Sequence, residues 1–335
     1  MRIFAFESSC DETAAAVVEY KDGRFSVLSD VVASQVAVHA RFGGVVPEIA
    51  SRAHCEAISG IAYEALKGCG LSVSELDAVA VTNRPGLIGA LLVGVNFAKA
   101  LAYAWGKPLI SVNHIKGHIA ANYLMNTGLE PPFLAFVASG GHTSIVRADG
   151  YREHTVIGGT RDDAMGECFD KVARVMGMPY PGGAALDKLA YEGKRPVAFP
   201  SAAIHDDSLD LSFSGLKTAV LNHINAQKQK GAPLACADIA AGFVQSAVSS
   251  VVRKLEMAFD RNPELHTLVL AGGVAANSHL RAALERFAAE RGLSLFMPAL
   301  RYCGDNAAMI GAAACLEYEA GIFSDEALNA YAFSM

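Results

Sequence analysis

The chain has 335 residues, 52% of them hydrophobic, and a formal net charge of −6. This length allows two packed cores, so two domains of roughly 100–200 residues each are expected. The negative charge argues against nucleic-acid binding by the whole surface, although a local basic patch or a partner protein could supply a binding surface.

No run reaches the roughly 18–20 uncharged apolar residues of a membrane span, and the first residues, MRIFAFESSCDET, indicate a buried strand rather than a signal peptide. The composition therefore predicts a cytoplasmic protein without a membrane segment.

Strand and helix patterns alternate along the chain. In chain order, the predicted elements are a strand–loop–strand hairpin at 3–18, a helix at 48–68, a strand at 76–82, a helix at 87–105, a strand at 107–113, a second hairpin at 133–146, a helix at 238–259, a strand at 267–273, a helix at 277–292, a strand at 293–300 and a helix at 306–321. This alternation is typical of α/β layers around a largely parallel sheet. The section 150–235 is less periodic and richer in glycine and charge, which indicates an insertion or a substrate-facing region.

The two hairpins resemble each other. IFAFESSCDETAAAVV and FLAFVASGGHTSIV both run from an apolar strand through a small polar loop into a second apolar strand. We therefore predict a duplicated fold, with chance similarity as the alternative because such hairpins are common. The predicted domains are 1–110 and 111–335, the second with an insertion at about 150–235 and with a C-terminal helix that could pack back on the first.

Small residues are concentrated in four turns that follow strands or enter helices, namely 7–13, 138–144, 180–189 and 271–280. Small side chains let backbone N–H groups approach an anionic ligand, and a helix N-terminus adds its positive dipole end. None matches a Walker A or G-x-G-x-x-G pattern, and each alone is typical of a tight turn. Together they indicate a nucleotide cleft between two similar domains, in which Asn277 either binds a ribose or base or caps a helix.

Two histidines, His114 and His118, stand four apart in SVNHIKGHIAANYL. On a helix that begins after Asn113, they lie on one face, about 5–6 Å apart at Cβ, where two imidazoles can share a cation. Ligand sites of open α/β sheets lie at such strand ends. The protease signature H-E-x-x-H needs a glutamate where this chain has Ile115, so that mechanism lacks its base. Two ordinary core histidines are the plain alternative.

A third ligand is expected to be a carboxylate, and Asp305 is the best candidate because it also precedes a helix that follows a strand. Its alternative role is that of a helix N-cap. Two histidines and one aspartate leave coordination positions open, which suits Fe²⁺ or Zn²⁺ acting on a substrate.

Nine blocks of the sequence resemble the bacterial TsaD family, once called Gcp or YgjD, over about residues 1–320. In order they are ESSCDET, GGVVPEIASRAH, NHIKGH, ASGGHT, GECFDKVAR, YPGG, SFSGLKT, AGGVAAN and DNAAMI. The resemblance implies a duplicated RNase-H-like fold of the actin-like and sugar-kinase superfamily, which agrees with the repeated hairpin.

The resemblance also implies an activity: transfer of the threonylcarbamoyl group of threonylcarbamoyl-adenylate to N6 of adenosine 37 in tRNAs reading ANN codons. It implies one metal ion per subunit, usually iron, held by His114, His118 and Asp305, and an adenine nucleotide or the adenylate in the cleft. The residues implied to contact the adenylate are Val137, Ala138, Ser139, Gly140, Gly141, Asp170, Gly183, Asp187 and Asn277.

Asp11 and Glu12 occupy the acidic loop that the family places near the reacting centre. The exocyclic amine of adenine is a poor nucleophile because its lone pair is delocalised into the ring. We therefore expect one of these two carboxyls to take the amine proton or orient the attack, and N–H groups of the 138–144 loop to stabilise the departing phosphate. A solvated turn is the alternative for both acids.

The implied partners are tRNA, a TsaB-like actin-fold protein that forms a heterodimer, a TsaE-like ATPase and a TsaC-like enzyme that makes the adenylate. The chain departs from many relatives at Arg84, Asn113 and Lys116, which bears on tRNA docking more than on chemistry. Local cations proposed to meet tRNA are Arg52, Arg84, Lys116 and Lys217.

Three other functions compete with this interpretation. An ATP-dependent small-molecule kinase of the same fold would need a catalytic aspartate but not the histidine pair. A metalloprotease lacks its base here, as noted above. A non-catalytic ATP-binding scaffold would act only through its partners.

Overall fold

The computed structural model describes residues 1–204 and 206–333. It divides into two compact units, Met1–Glu130 with Pro298–Met335, and Pro131–Met297. Residue 205, which falls in the predicted insertion, and residues 334 and 335 lie outside the described residues.

The strands, in chain order, are β1 (Arg2–Glu7), β2 (Glu12–Lys21), β3 (Arg24–Ser34), β4 (Ala78–Arg84), β5 (Leu109–Asn113), β6 (Phe133–Ala138), β7 (Thr143–Ala148), β8 (His154–Gly159), β9 (Thr267–Ala271) and β10 (Ser294–Phe296). The α-helices are α1 (Val36–His39), α2 (Pro47–Cys69), α3 (Ile88–Trp105), α4 (His114–Ala120), α5 (Met165–Val175), α6 (Gly183–Ala190), α7 (Phe213–Gln229), α8 (Cys236–Arg261), α9 (Ser278–Arg291) and α10 (Ala307–Glu319).

The sheet of the first unit has the order β3-β2-β1-β4-β5. Its central strand β1 runs antiparallel to β2 and parallel to β4. Successive side chains of a strand point to opposite faces. Phe4 and Phe6 accordingly pack with residues of α2 and α3, while Ala5 lies beside Gly311 of α10. Helices on both faces explain why β1 is almost entirely apolar.

The sheet of the second unit has the order β10-β9-β6-β7-β8, with β6 antiparallel to β7 and parallel to β9. Element by element this repeats the first sheet, so the predicted duplication is confirmed. Each sheet is mixed rather than largely parallel, because the hairpin that opens each unit contributes antiparallel strands.

The observed units differ from the predicted boundary at 110/111. Helix α4 packs on β5 and on α10, and α10 also packs on β1 and β2. Residues 111–130 and the C-terminal segment from Pro298 therefore belong to the first unit. The second unit is inserted between them.

Helix α3 is long and apolar enough to cross a membrane by length and composition alone. One face of it, including Leu91 and Val95, is buried in the core of the first unit, as in the core helix of a soluble protein. It ends where Gly106 takes the left-handed conformation at φ 62°, which glycine adopts without a Cβ penalty.

The aromatic cluster under β1 is expected to dominate the stability of the first unit. Phe6 is fully buried, with ring centroids 4.5 Å from Phe4 and 5.3 Å from Phe97. Phe6→Ala should lower the free energy of unfolding by about 3–5 kcal/mol, because it leaves a cavity. Denaturant titration measures this loss. Tyr103→Ala is the control, since Tyr103 is 79% exposed; equal losses in the two variants would contradict the packing described here.

Candidate active site

The histidine pair lies at the start of α4, immediately after β5. The side chain of Asn113 accepts hydrogen bonds from the N–H groups of Ile115 and Lys116, at 2.8 and 3.4 Å, and so caps the helix. One turn of helix then separates His114 from His118. Both imidazoles are buried, and their ring centroids are 4.5 Å apart.

Asp305 meets the pair from a distant part of the chain. The N-cap of α10 is Asn306, whose side chain accepts from the N–H of Met309 at 2.8 Å, so the alternative role considered for Asp305 is filled by its neighbour. Asp305 Oδ1 lies 3.4 Å from His114 Nε2 and 3.2 Å from His118 Nε2.

This donor set fits a single cation. The three ligand atoms lie within 4.8 Å of one another, and ligands about 2.0–2.2 Å from one metal ion are about 3.0–3.5 Å apart. Both ring nitrogens of His118 are buried; Nε2 faces Asp305 Oδ1 at 3.2 Å without the alignment of a hydrogen bond, and Nδ1 has no hydrogen-bond partner among the described residues. A buried polar atom without a partner is costly, and a cation bound at Nε2 would remove that cost at this nitrogen.

Glu7 orients His114, a role that the sequence analysis missed. Its buried Oε2 lies 3.0 Å from His114 Nδ1 and accepts a 2.6 Å hydrogen bond from the Thr82 hydroxyl. Burial opposes ionisation of Glu7, but the charge of His114 and the hydrogen bond to it hold the pKa of Glu7 below its ordinary value. An ionised Glu7 accepts a hydrogen bond from the Nδ1–H group of His114, which keeps Nε2 turned towards Asp305. Such carboxylate–histidine pairs are typical behind metal ligands.

The two histidines differ in charge. Burial disfavours the protonated form of His114, but the carboxylates of Asp305 and Glu7 outweigh it and raise the pKa of His114 to about 9. Burial, followed by the charge of His114, lowers the pKa of His118. The buried carboxylates thus hold positive charge at the position where a cation would bind.

Asp11 lies in the loop between β1 and β2, and Glu12 is the first residue of β2. Glu12 Oε1 accepts a 3.0 Å hydrogen bond from the Ser34 hydroxyl. Burial, then the negative charges of Asp11 and Asp305, raise the pKa of Glu12 to about 9. Glu12 therefore holds a proton at neutral pH and would accept another group's proton only if a positive charge nearby lowered this pKa. The acidic loop begins beside the histidines, since the Ser9 hydroxyl lies 3.1 Å from His114 Nδ1.

The residues predicted to contact the adenylate all lie in the second unit. Val137 and Ala138 end β6 and are buried, whereas Gly140 and Gly141 are exposed in the turn that follows. Ala138 needs a glycine opposite it, because a Cβ on Gly272 would lie 2.3 Å from its carbonyl oxygen.

Hydrogen bonds connect this turn to helix N-termini. Gly166, in the first turn of α5, donates to the Ser139 carbonyl at 3.2 Å. Asp170 Oδ1 accepts from the N–H groups of Gly182 and Gly183, at 2.8 and 3.0 Å, where α6 begins. The predicted residues of the turn and of α5 and α6 are therefore held in one network.

Asp187 connects α6 to α9. Its carboxylate accepts from the Ser278 N–H and hydroxyl, at 2.9 and 2.7 Å, and lies 2.7 Å from His279 Nδ1. Asn277 caps α9 by accepting from the Leu280 N–H at 2.8 Å, the alternative role considered for it. That bond uses only its amide oxygen.

Two of the four cations proposed to meet tRNA are engaged in ion pairs. Arg52 pairs with Glu48 at 2.5 Å, with both side chains exposed. Lys217 pairs with Asp163 at 2.5 Å, and Asp163 also pairs with Lys171.

Comparisons with solved structures identify the fold. HypF of T. kodakarensis aligns with a TM-score of 0.66 and 15% identity, covering 98% of this chain and 49% of that one. Component A of the Acidaminococcus fermentans (R)-2-hydroxyglutaryl-CoA dehydratase aligns with a TM-score of 0.56 and 14% identity, covering 96% and 100%. With the repeated sheet order, they confirm the predicted duplicated actin-like and sugar-kinase fold.

Sequence comparison is more specific. The model of the TsaD family, tRNA N6-adenosine threonylcarbamoyltransferase, matches residues 26–312. Enzymes of that name from Clostridium perfringens and Clostridium botulinum are 51% identical over 329 residues and 50% identical over 331 residues, each covering 98% of this chain and 96% of the relative. The chain belongs to the TsaD family of transferases.

The network around Asp187 predicts a pH-dependent loss of stability. Burial opposes ionisation of Asp187, but its hydrogen bonds with Ser278 and His279 hold its pKa below the ordinary value. The stabilisation is thus present above the unfolded pKa of about 4 and is lost as pH falls through the folded value. Asp187→Asn should cost about 1.5–3 kcal/mol at pH 7.

Denaturant titrations at pH 7 and at pH 3 measure this cost, which should shrink at the lower pH. Asp207→Asn is the matched control, because Asp207 is exposed. A cost for Asp187→Asn that is independent of pH would show that the carboxylate charge is not what joins α6 to α9.

Proposed function

We propose that this protein transfers the threonylcarbamoyl group of threonylcarbamoyl-adenylate to N6 of adenosine 37 in tRNAs reading ANN codons, in the cytoplasm. The observation that carries the proposal is the convergence of His114, His118 and Asp305 within 4.8 Å, in a chain whose family is named for this transfer. Neither a kinase nor a scaffold requires such a donor set.

The metal of this proposal is Fe²⁺, with Zn²⁺ as the alternative, one ion per chain. His114 and His118 would bind it through Nε2, and Asp305 would bind it through a carboxylate oxygen. When bound, such an ion supplies a Lewis acid that neutralises charge on an acyl donor and orients it. The chain's own contribution is the orientation of His114 by Glu7, since the 3.0 Å contact fixes which ring nitrogen faces the site.

The adenylate half of the donor is assigned to the second unit. A mixed anhydride with AMP carries a phosphate, and exposed backbone N–H groups at Gly140 and Gly141 suit an anion. The side-chain amide N–H₂ of Asn277, which its capping bond does not use, would donate to the ribose or base. Stabilisation of the departing phosphate by such donors favours the transfer.

Proton transfer is assigned to the acidic loop. The adenine amine must lose a proton as it is acylated, and a carboxyl within hydrogen-bond reach is a suitable acceptor. Asp11 is the first candidate, because Glu12 already holds a proton at neutral pH.

The partners of this reaction are tRNA, a TsaB-like actin-fold protein, a TsaE-like ATPase and a TsaC-like enzyme that supplies the adenylate. Adenosine 37 stacks within the anticodon loop, so it must be splayed out before it can be modified. An acidic chain, with a net charge of −6, benefits from a partner that contributes positive surface for tRNA.

His118→Ala tests the function by removing one predicted metal ligand, and its Tm is compared with that of the wild type because His118 is fully buried. Bound iron or zinc should fall from one ion per chain to none, and threonylcarbamoyladenosine formation should be lost. Elemental analysis and mass spectrometry of tRNA nucleosides measure both. His266→Ala, at an exposed site, is the control. Restoration of the modified nucleoside in depleted cells by His118→Ala would favour the scaffold function.

Glu7→Gln tests the orientation of His114. Glutamine keeps the size of the side chain but removes the charge that fixes the Nδ1 proton. Metal affinity should fall about 10–100-fold, as measured by competition with a chelator of known affinity. An unchanged affinity would mean that Glu7 does not act through His114.

A further inference from the structure

The block GGVVPEIASRAH ends in a buried histidine that the proposed mechanism does not use. His54 is 0% exposed and lies on the buried face of α2, one turn after Ala50 and one turn before Ile58. A histidine in such a row could simply fill the core. Its two ring nitrogens, however, both contact the acidic loop.

Each ring nitrogen of His54 contacts one side of the acidic pair. Nε2 lies 3.0 Å from the carbonyl oxygen of Cys10, and Nδ1 lies 2.7 Å from the hydroxyl of Thr13. Asp11 and Glu12 are the two residues between these contacts. The His54 side chain therefore holds the acidic loop by hydrogen bonds on both sides of Asp11 and Glu12.

The two hydrogen-bond partners of His54 determine which ring nitrogen carries a hydrogen. A carbonyl oxygen only accepts, so Nε2 must carry the hydrogen, and Nδ1 then accepts from the Thr13 hydroxyl. Burial lowers the pKa of His54, although the bond to the Cys10 carbonyl opposes this. The ring is therefore neutral, which is the state that makes both bonds with the correct polarity.

Ser9, at the start of the loop, contacts two residues of the candidate metal centre. The Ser9 N–H donates to Glu7 Oε1 at 2.5 Å, and the Ser9 hydroxyl lies 3.1 Å from His114 Nδ1. The Asp11 carbonyl accepts from the Gln35 N–H at 3.0 Å. The loop is therefore attached to the metal ligand at its first residues and to α2 on either side of the acidic pair.

We propose that His54 is a positioning residue that holds the Asp11–Glu12 pair in place for the transfer. This inference rests on the proposed function, which assigns proton transfer to that pair. His54 touches neither substrate nor metal; it acts through the backbone at Cys10 and the side chain of Thr13. A misplacement of about 1 Å at a reacting group can reduce turnover about 100-fold.

Three substitutions separate positioning from packing. His54→Leu removes both bonds, Thr13→Val removes one bond and keeps the volume, and His54→Gln retains an amide donor for the Cys10 carbonyl. We expect His54→Leu to lower kcat on the order of 100-fold, Thr13→Val to lower it less, and His54→Gln to recover most of it. Bound metal and the KM for threonylcarbamoyl-adenylate should stay at wild-type values in Thr13→Val and His54→Gln. The Tm of Thr13→Val should fall by only a few degrees, because His54 Nδ1 loses its partner.

His266→Leu is the matched control, because it makes the same chemical change at an exposed position. A wild-type kcat in His54→Leu would overturn the proposal. So would a loss of activity in all three variants that is accompanied throughout by a matching loss of Tm or bound metal, since that pattern means packing alone.

A second readout needs no activity. Burial raises the pKa of the Cys10 thiol well above its ordinary value, so Cys10 should react slowly with iodoacetamide in the wild type. Release of the loop should speed this labelling on the order of tenfold in His54→Leu and in Thr13→Val, measured by peptide mass spectrometry against Cys236 in the second unit.

Unchanged Cys10 labelling in both variants would also overturn the proposal. If the wild-type protein transfers no threonylcarbamoyl group, the proposed function fails, and the labelling rate still decides whether His54 holds the loop.

Discussion

The candidate site depends on the burial of carboxylates that need positive charge beside them. Glu7, Asp305 and Glu12 lie in or at the edge of the first unit's interior. Unpaired, such charges are strongly unfavourable in a protein interior. A protonated His114 balances the charges of Glu7 and Asp305. Glu12 avoids a buried charge because it stays protonated. A divalent ion at the histidines would satisfy the same need with a larger charge, and this is the packing argument for the proposed metal site.

The features that were predictable from the sequence are those set by local geometry. His114 and His118 share a face because helix periodicity brings positions i and i+4 together, and their N-cap Asn113 stands directly before them. The duplication was predictable for the same reason, since each hairpin is continuous in sequence. The resemblance of the nine blocks added Asp305 as a family ligand; the residues alone made it only a candidate.

The features that were missed depend on contacts between distant positions. Glu7 reaches His114 across 107 residues and Thr82 across 75, and a glutamate at the end of an apolar strand carries no local sign of either contact. The domain boundary was predicted at 110/111, whereas the packing of α4 against α10 places residues 111–130 in the first unit. His54 lies in the block GGVVPEIASRAH, but its spacing along α2 is that of an ordinary core residue.

The discontinuity of the first unit has a consequence for biosynthesis. Residues 1–130 leave the ribosome first, but their sheet lacks its covering helix α10 until the whole second unit has been made. Domains generally fold in order from the N-terminus during synthesis, yet here Asp305, the carboxylate of the candidate site, is translated only after the second unit. The nascent chain therefore carries both histidines throughout the synthesis of the second unit before Asp305 can join them.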